Sequence, residues 1–231
     1  MQSDKIDLAI VGGGLAGGLI ALAVRNAAPQ LSLGLFEAGE TLGGNHRWSW
    51  FEGDLDARGT ELMRPFGKMQ WTGGNEVRFP AFSRSLKSDY RSLDSRDFDA
   101  TLRSELPQSA ICTGKTVDSI DGGRLTLSSG ERISSAMVID CRDAVPSEHL
   151  TGGWQVFLGQ TLRTARPHGI KRPVIMDAVV EQPGAYRFVY LLPLGENEIF
   201  VEDTYYADSP LLDASLLRQR IADYCRQQGW K

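Results

Sequence analysis

A glycine-rich turn between a buried strand and a helix constrains the fold of this chain more than any other feature. Residues 6–11 form a short, nearly continuous apolar run, which is typical of a strand buried on both faces. Gly12, Gly14 and Gly17 then supply the pattern G-x-G-x-x-G, and residues 15–28 have the composition of a helix. A strand, turn and helix of this kind can hold a pyrophosphate at the helix N-terminus. The sequence therefore predicts a dinucleotide site.

Each glycine has a physical role in this prediction. Gly12 permits the tight turn, Gly14 lets the backbone approach the phosphates, and Gly17 lets the helix pack closely on the strand. A second predicted strand, residues 31–36, leads to Glu37, whose carboxylate can accept hydrogen bonds from a ribose. The alternative is a glycine-rich turn in an ordinary βαβ unit that binds no ligand.

Charge and cysteine content narrow the class of protein. The formal net charge of −4 argues against a nucleic-acid partner, because phosphate-binding proteins are normally basic. The three cysteines are widely separated and odd in number, so they suggest neither a disulfide framework nor a zinc site; we predict no metal and a reducing, cytoplasmic location. Residues 8–24 are apolar but are explained by strand, turn and helix, so we expect no transmembrane segment.

The remaining pattern predicts an α/β fold with two domains. Residues 136–140 are apolar and end in a carboxylate, as expected for a third parallel strand beside the first. From residue 150 the pattern becomes all-β, and a terminal amphipathic helix follows at 213–229. We therefore predict a Rossmann-like nucleotide-binding βαβ domain with inserted segments at 1–149, interleaved with a mostly antiparallel β substrate domain at 150–231.

Aromatic residues are concentrated in the loop that follows Glu37. This loop contains Gly43 and Gly44, where the backbone must turn sharply or approach a ligand. The rings could line a wall beside a planar cofactor or an apolar substrate, or they could fill the core beneath the loop. The rings in question are His46, Trp48, Trp50 and Phe51.

Two adjacent carboxylates, Glu202 and Asp203, lie in a predicted strand at 198–206. Because side chains alternate along a strand, the two carboxylates point to opposite faces. One can then be buried in a pocket while the other is held by hydrogen bonds behind the sheet. Burial raises the pKa of a carboxyl group and makes it a plausible proton donor near neutral pH, although such a pair at a strand edge is commonly surface charge.

Motifs along the whole chain resemble those of the bacterial lycopene cyclases, which are flavoproteins. The resemblance includes Gly-Gly-Asn-His-Arg-Trp-Ser-Trp at 43–50 and Glu-Asp-Thr at 202–204. The complete set of matching stretches is 7–22, 43–50, 138–142, 166–170, 175–178, 186–194, 202–204 and 227–230.

The resemblance implies an FAD-dependent reaction without net redox change, in which the flavin is reduced by NADPH or NADH. The acyclic ends of lycopene are protonated and closed to β-ionone rings, giving γ-carotene and β-carotene. By similarity, Glu202 is the candidate proton donor or cation stabiliser and Asp203 supports it. Other carotenoids with acyclic ends are also expected substrates, and contact with the membrane is expected to be peripheral. The residues expected to bind FAD are Gly12, Gly13, Gly14, Ala16, Gly17, Glu37 and Gly44.

The family is considerably longer than this chain, so we expect a part that completes the cofactor contacts and the carotenoid tunnel to be missing. Two alternatives remain open at this point. One is an FAD- and NADPH-dependent oxidoreductase of the same fold, such as a hydroxylase. The other is a non-catalytic truncated fragment.

Overall fold

The computed structural model describes residues 6–143, 149 and 152–231. Its α-helices are α1 Leu15–Ala27, α2 Ala57–Leu62, α3 Ser95–Glu105 and α4 Ala214–Gln227. Its strands are β1 Ile6–Val11, β2 Leu33–Phe36, β3 Arg47–Phe51, β4 Met69–Trp71, β5 Asn75–Phe79, β6 Phe82–Leu86, β7 Tyr90–Asp94, β8 Ile111–Cys112, β9 Val117–Asp121, β10 Arg124–Leu127, β11 Arg132–Asp140, β12 Trp154–Arg163, β13 Val174–Asp177, β14 Arg187–Pro193 and β15 Glu198–Ala207.

The chain divides into two compact units. The first unit comprises residues 1–50, 54–68 and 92–145, and the second comprises 51–53, 69–91 and 146–231. This division differs from the predicted boundary after residue 149, because residues 69–91 belong to the second unit. The physical reason is strand pairing: β5 lies parallel to β13 and β6 extends the same sheet. A third sheet has the order β3-β7-β4.

The first unit contains the predicted βαβ element. Its sheet has the order β8-β2-β1-β11-β10-β9, and β1 is paired in parallel with both β2 and β11. Leu8 and Ile10 pack on one side with the buried residues of α1 and α3, whereas Ala9 and Val11 pack on the other side with β10. β1 is therefore buried on both faces, as its apolar run predicts, and the predicted fold class is confirmed.

Local signals within the first unit are mostly accurate. The Asp-Gly-Gly turn joins β9 to β10, with Gly122 and Gly123 at φ values of 51° and 83°. Two local features differ from what the sequence pattern favours. The pattern at 111–117 predicts one strand, whereas the structure has β8 at Ile111–Cys112 and β9 beginning at Val117. The sequence favours Ser95 as the N-cap of the following helix, but the N-cap of α3 is Asp94, because the Asp94 carboxylate accepts hydrogen bonds from the backbone N–H groups of Arg96 and Asp97.

The second unit is built on a six-stranded sheet of order β12-β15-β14-β13-β5-β6. The four neighbouring strands β12, β15, β14 and β13 are antiparallel, as predicted for the region after residue 150. Helix α4 covers one face of this sheet through Leu217, Ile221 and Tyr224, which are buried. The other face bears the side chain of Glu202, because successive residues of β15 alternate between the faces.

Two of the motifs that carry the family resemblance meet in the second unit. The backbone N–H of Ile170 donates to Nδ1 of His168 at 3.1 Å, so Nε2 carries the proton and donates to the carbonyl of Gly195 at 2.8 Å. The indole N–H of Trp230 donates to the His168 carbonyl oxygen at 3.1 Å. His168 is therefore a structural residue that joins the 166–170 and 227–230 motifs.

Among the described residues, no helix has both the length and the apolar character needed to cross a membrane.

Candidate functional site

The glycine-rich turn of the first unit has the geometry that its sequence predicts. Gly12 has a φ of 103°, and its N–H donates to the carbonyl of Phe36 at 2.8 Å. A methyl group added at Gly17 would overlap the Gly12 carbonyl oxygen, so this position requires glycine for close packing. Gly14 is the N-cap of α1 without a side-chain cap, and the helix N-terminus is therefore available to an anion.

The space in front of α1 passes a simple test for a bound dinucleotide. A methyl group built at Gly14 would meet no protein atom within 4 Å, which means that the backbone here faces open space. Gly13 is buried and Ala16, in the first turn of α1, is exposed. The residues present are thus compatible with a pyrophosphate at the N-terminus of α1.

Glu37 lies beside the glycine-rich turn. One carboxylate oxygen accepts the Gly13 N–H at 2.7 Å and the other accepts the Gly39 N–H at 2.8 Å. Each carboxylate oxygen has a further lone pair, so Glu37 can still accept from a ribose hydroxyl. Gly44 is exposed and adjacent to buried Gly43, whose N–H donates to the Gly13 carbonyl at 2.8 Å. The loop after Glu37 is therefore tied to the turn.

The aromatic residues of this loop pack mainly in the protein core. Trp48 makes an edge-to-face contact with Phe98 at 5.1 Å between ring centroids, and Trp50 packs against the same apolar cluster. Phe51 packs with Tyr90 in the second unit. These contacts favour the core-filling interpretation for Trp48 and Trp50. The ring centroids of His46 and Trp48 are 6.0 Å apart, and His46 is exposed.

Cys141 follows the C-terminal end of β11 and is partly buried. Burial, with a smaller contribution from the Asp140 carboxylate, raises the pKa of the Cys141 thiol. A thiol of raised pKa is a poor nucleophile at neutral pH. This environment favours a packing role over a redox role.

Glu202 and Asp203 lie on opposite faces of the second sheet. Glu202 is paired across the sheet with Gly159 of β12 and Tyr190 of β14, whereas Asp203 is paired with Leu158 and Val189. The structure thus places the two carboxylates next to each other in the chain without bringing their side chains together. Any support that Asp203 gives to Glu202 acts through the strand.

Asp203 is fully buried and is held by Arg187. The guanidinium Nε donates to both carboxylate oxygens at 2.9 and 3.1 Å, and Nη2 donates to Oδ2. Nη1 donates to the carbonyl of Glu181 at 3.3 Å. A fork of donors facing a carboxylate is a strong arrangement inside a protein. The Arg187–Asp203 pair therefore fixes β15 against β14 on the face that α4 covers.

Glu202 lies among aromatic side chains, which we call the aromatic face. The ring centroids of neighbouring members are 5.3–6.5 Å apart. Phe188 is buried, whereas Tyr186 and Tyr206 are 40% and 48% exposed, so this face opens to solvent at one end. The aromatic face consists of Tyr186, Phe188, Tyr190 and Tyr206.

The electrostatic environment of Glu202 favours its neutral form. Burial raises the pKa of the Glu202 carboxyl, and a hydrogen bond from the Thr204 hydroxyl at 3.0 Å partly opposes this rise. Burial, followed by the nearby Glu202 and Tyr206, raises the pKa of Tyr190 in turn. A carboxyl group of raised pKa beside aromatic rings can donate a proton to a weakly basic apolar molecule.

Gly159 makes room on this face. It lies directly across from Glu202, and a methyl group at this position would overlap the Phe200 ring. Arg187, Thr204 and Gly159 were not predicted as site residues. Arg187 carried a physical signal, since a charged residue in an otherwise apolar strand requires a buried partner, and Thr204 lies in the Glu-Asp-Thr stretch of the resemblance.

We expect Glu202→Gln to change how stability depends on pH. In the folded protein burial raises the pKa of Glu202 above its usual 4.5, so the folded state binds a proton that the unfolded chain releases. The stability contributed by this proton is present below pH 4.5 and is lost as the pH rises through the folded-state pKa. Glutamine does not ionise, so the variant does not lose this stability as the pH rises. It should therefore be more stable than the wild type at neutral pH.

Urea unfolding at several pH values measures this difference. The exposed Glu196→Gln variant is the control and should follow the wild type at every pH. A constant offset between Glu202→Gln and the wild type across the whole pH range would contradict the predicted linkage.

Among the described residues, no group of three or more histidine, cysteine, aspartate or glutamate side chains could hold a metal ion.

The family model and the curated relatives that match this chain indicate the same protein family. The model of the lycopene cyclase protein family matches residues 7–231. The chain is 42% identical over 225 residues to the lycopene beta-cyclase of Pseudescherichia vulneris and 38% identical over 225 residues to that of Pantoea ananas. Each alignment covers 97% of this chain and 58% of the relative, so the chain spans little more than half the length of these curated relatives.

Solved structures share the fold at much lower identity. The peptidyl tryptophan dihydroxylase QhpG is 16% identical with a TM-score of 0.60, covering 97% of this chain and 50% of that protein. HpxO of Klebsiella pneumoniae, solved in complex with FAD, is 14% identical with a TM-score of 0.58. The match covers 98% of this chain and 64% of HpxO. The fold is therefore one that flavoenzymes use, and the matches in sequence show that the chain belongs to the lycopene cyclase family.

Proposed function

We propose that this chain carries the nucleotide-binding and acid-bearing segments of a lycopene beta-cyclase. The observation that supports this proposal best is Glu202, a carboxyl of raised pKa on an aromatic face, in a chain of this family. The proposed substrates are lycopene and other carotenoids with acyclic ends. Because such substrates reside in a bilayer, the proposal includes peripheral contact with a membrane.

The proposed reaction begins with proton transfer from Glu202. The terminal double bond of lycopene uses its π electron pair to form a C–H bond, and the O–H electron pair remains on Glu202 as a carboxylate. The carbocation is attacked by a neighbouring double bond, which closes a six-membered ring. Loss of a proton from the ring then forms the double bond of the β-ionone end group. Aromatic rings near Glu202 would stabilise the positive charge through their π faces.

FAD is the proposed cofactor, reduced by NADPH or NADH and unchanged in net redox state at the end of the reaction. The residues that would hold it are the glycine-rich turn, the N-terminus of α1 and Glu37. When bound, reduced FAD would supply negative charge that favours a cationic transition state. Gly12, Gly13, Gly14, Ala16, Gly17, Glu37 and Gly44 remain the proposed binding residues.

Two glycine variants separate cofactor binding from folding. Gly14→Ala should fold normally but bind FAD at least about tenfold more weakly, because its methyl group would occupy the space in front of α1. Gly17→Ala should instead lose about 1–3 kcal/mol of stability, because the methyl group overlaps the Gly12 carbonyl oxygen.

Flavin fluorescence titration and urea unfolding measure the two effects. Normal FAD affinity in the Gly14→Ala variant would place the pyrophosphate elsewhere. Gly53, which has open space around it and lies outside the proposed site, provides the control substitution Gly53→Ala.

Pigment extraction from a lycopene-accumulating bacterial host tests the proposed activity. Conversion of lycopene to γ-carotene or β-carotene by this chain is the expected result. Unchanged lycopene in the presence of soluble protein would show that the chain does not cyclise lycopene by itself. A fusion with the remaining part of the Pantoea ananas relative would then distinguish a missing segment from a wrong assignment.

A flavin-dependent hydroxylase is the alternative enzyme class. It would consume NADPH together with oxygen in proportion to product. A cyclase would show no such stoichiometric consumption, since its product is an isomer of its substrate.

A further inference from the structure

Thr204 is a buried residue on the same face of β15 as Glu202. Its hydroxyl donates a hydrogen bond to Oε1 of Glu202 at 3.0 Å. In the part of the chain that the structure describes, we find no other hydrogen bond to the Glu202 side chain. The two oxygens of this carboxyl group are therefore not equivalent.

The hydrogen bond decides which oxygen carries the proton. A neutral carboxyl group has one hydroxyl oxygen and one carbonyl oxygen, and the carbonyl oxygen is the better acceptor. Since Thr204 donates to Oε1, the proton resides on Oε2. Among the described residues, the titratable group that interacts with Glu202 is the phenol of Tyr190 on one neighbouring strand, and Gly159 on the other neighbouring strand has no side chain.

We propose that Thr204 is a positioning residue for proton transfer, which by its hydrogen bond to Oε1 fixes Oε2 of Glu202 as the oxygen that delivers the proton. This inference rests on the proposed cyclase function. During transfer the Oε2–H bond breaks, its electron pair stays on Glu202, and the substrate π pair forms the new C–H bond. The Thr204 hydroxyl then stabilises the resulting carboxylate, because a hydrogen bond to a charged acceptor is stronger than one to a neutral acceptor.

Two substitutions at Thr204 test this role. Thr204→Val removes the hydroxyl group with little change of shape, whereas Thr204→Ser retains it. Infrared difference spectra of each purified protein against its own Glu202→Gln partner isolate the C=O stretch of protonated Glu202. Loss of the hydrogen bond should shift this band to higher frequency in Thr204→Val and raise its pH midpoint, because the hydroxyl no longer stabilises the carboxylate. Thr204→Ser should retain the wild-type frequency and midpoint.

The same variants are then compared for cyclised pigment in the lycopene-accumulating host. Thr204→Val should lose activity and Thr204→Ser should recover it. An unchanged C=O frequency and midpoint in Thr204→Val would overturn the proposal, and Thr204→Ala, which also lacks the hydroxyl, repeats the test if the valine variant does not fold. A Glu202→Gln protein that still cyclises lycopene would instead refute the proposed function, whatever the spectra of the Thr204 variants show.

Discussion

Glu202→Gln is expected to reduce cyclised pigment by about 10²–10⁴-fold, which is the contribution of a well-placed general acid. Glutamine has nearly the same shape, but its amide cannot donate a proton to an alkene. The aromatic face and the glycine-rich turn should be undisturbed, so FAD binding should equal that of the wild type. Pigment analysis by chromatography, together with flavin titration of the purified protein, measures both quantities.

Glu198→Gln is the matched control for this prediction. Glu198 begins the same strand and, four positions before Glu202, lies on the same face of the sheet. Its substitution should leave the pigment composition unchanged. Cyclisation that persists in Glu202→Gln at the wild-type level would remove Glu202 from the mechanism.

Asp203→Ala is expected to destabilise the second unit by about 3–5 kcal/mol, the usual cost of leaving one partner of a buried ion pair alone. The side chains of Arg187 and Asp203 are only 8% and 0% exposed, so water cannot replace the lost carboxylate. Urea unfolding monitored by hydrogen exchange in β14 and β15 measures the loss. Loss of activity in this variant should therefore accompany loss of structure.

Two further variants separate charge from structure at this pair. The double variant Arg187→Met/Asp203→Leu removes both charges and should recover much of the stability, because an apolar pair of similar size avoids the cost of burying charge. Asp208→Ala, which alters an exposed carboxylate just after β15, should have little effect. Equal stability of Asp203→Ala and the wild type would show that the Arg187–Asp203 pair contributes nothing to the free energy of unfolding.

The elements that the sequence predicts well are those specified by neighbouring residues. Gly12 and Gly17 define the first turn because each meets a local steric requirement, whereas Gly14 leaves open space in front of α1. The opposite orientation of Glu202 and Asp203 was likewise predictable, since alternation along a strand needs only the strand itself.

Features that depend on strand register were not predictable from the sequence. The partnership of Arg187 with Asp203 requires β14 to lie beside β15 in one particular alignment, in which Arg187 faces Tyr205 across the sheet. Residues 69–91 join the second unit only because β5 pairs with β13, a contact between distant parts of the chain. The short turn at 194–197 is a local signal that β14 and β15 form a hairpin, although it does not name the side-chain partners; no local pattern specifies the pairing of β5 with β13.

The pairing of β5 with β13 also affects how the protein is made. β5 ends at Phe79, whereas its partner β13 begins at Val174. At typical synthesis rates, roughly five to twenty seconds pass on the ribosome between the two strands. During that interval the first unit can complete most of its own sheet, while β5 and β6 have only each other. Assembly of the second unit is therefore a late step of biosynthesis, when the unpaired edge of β5 is open to aggregation.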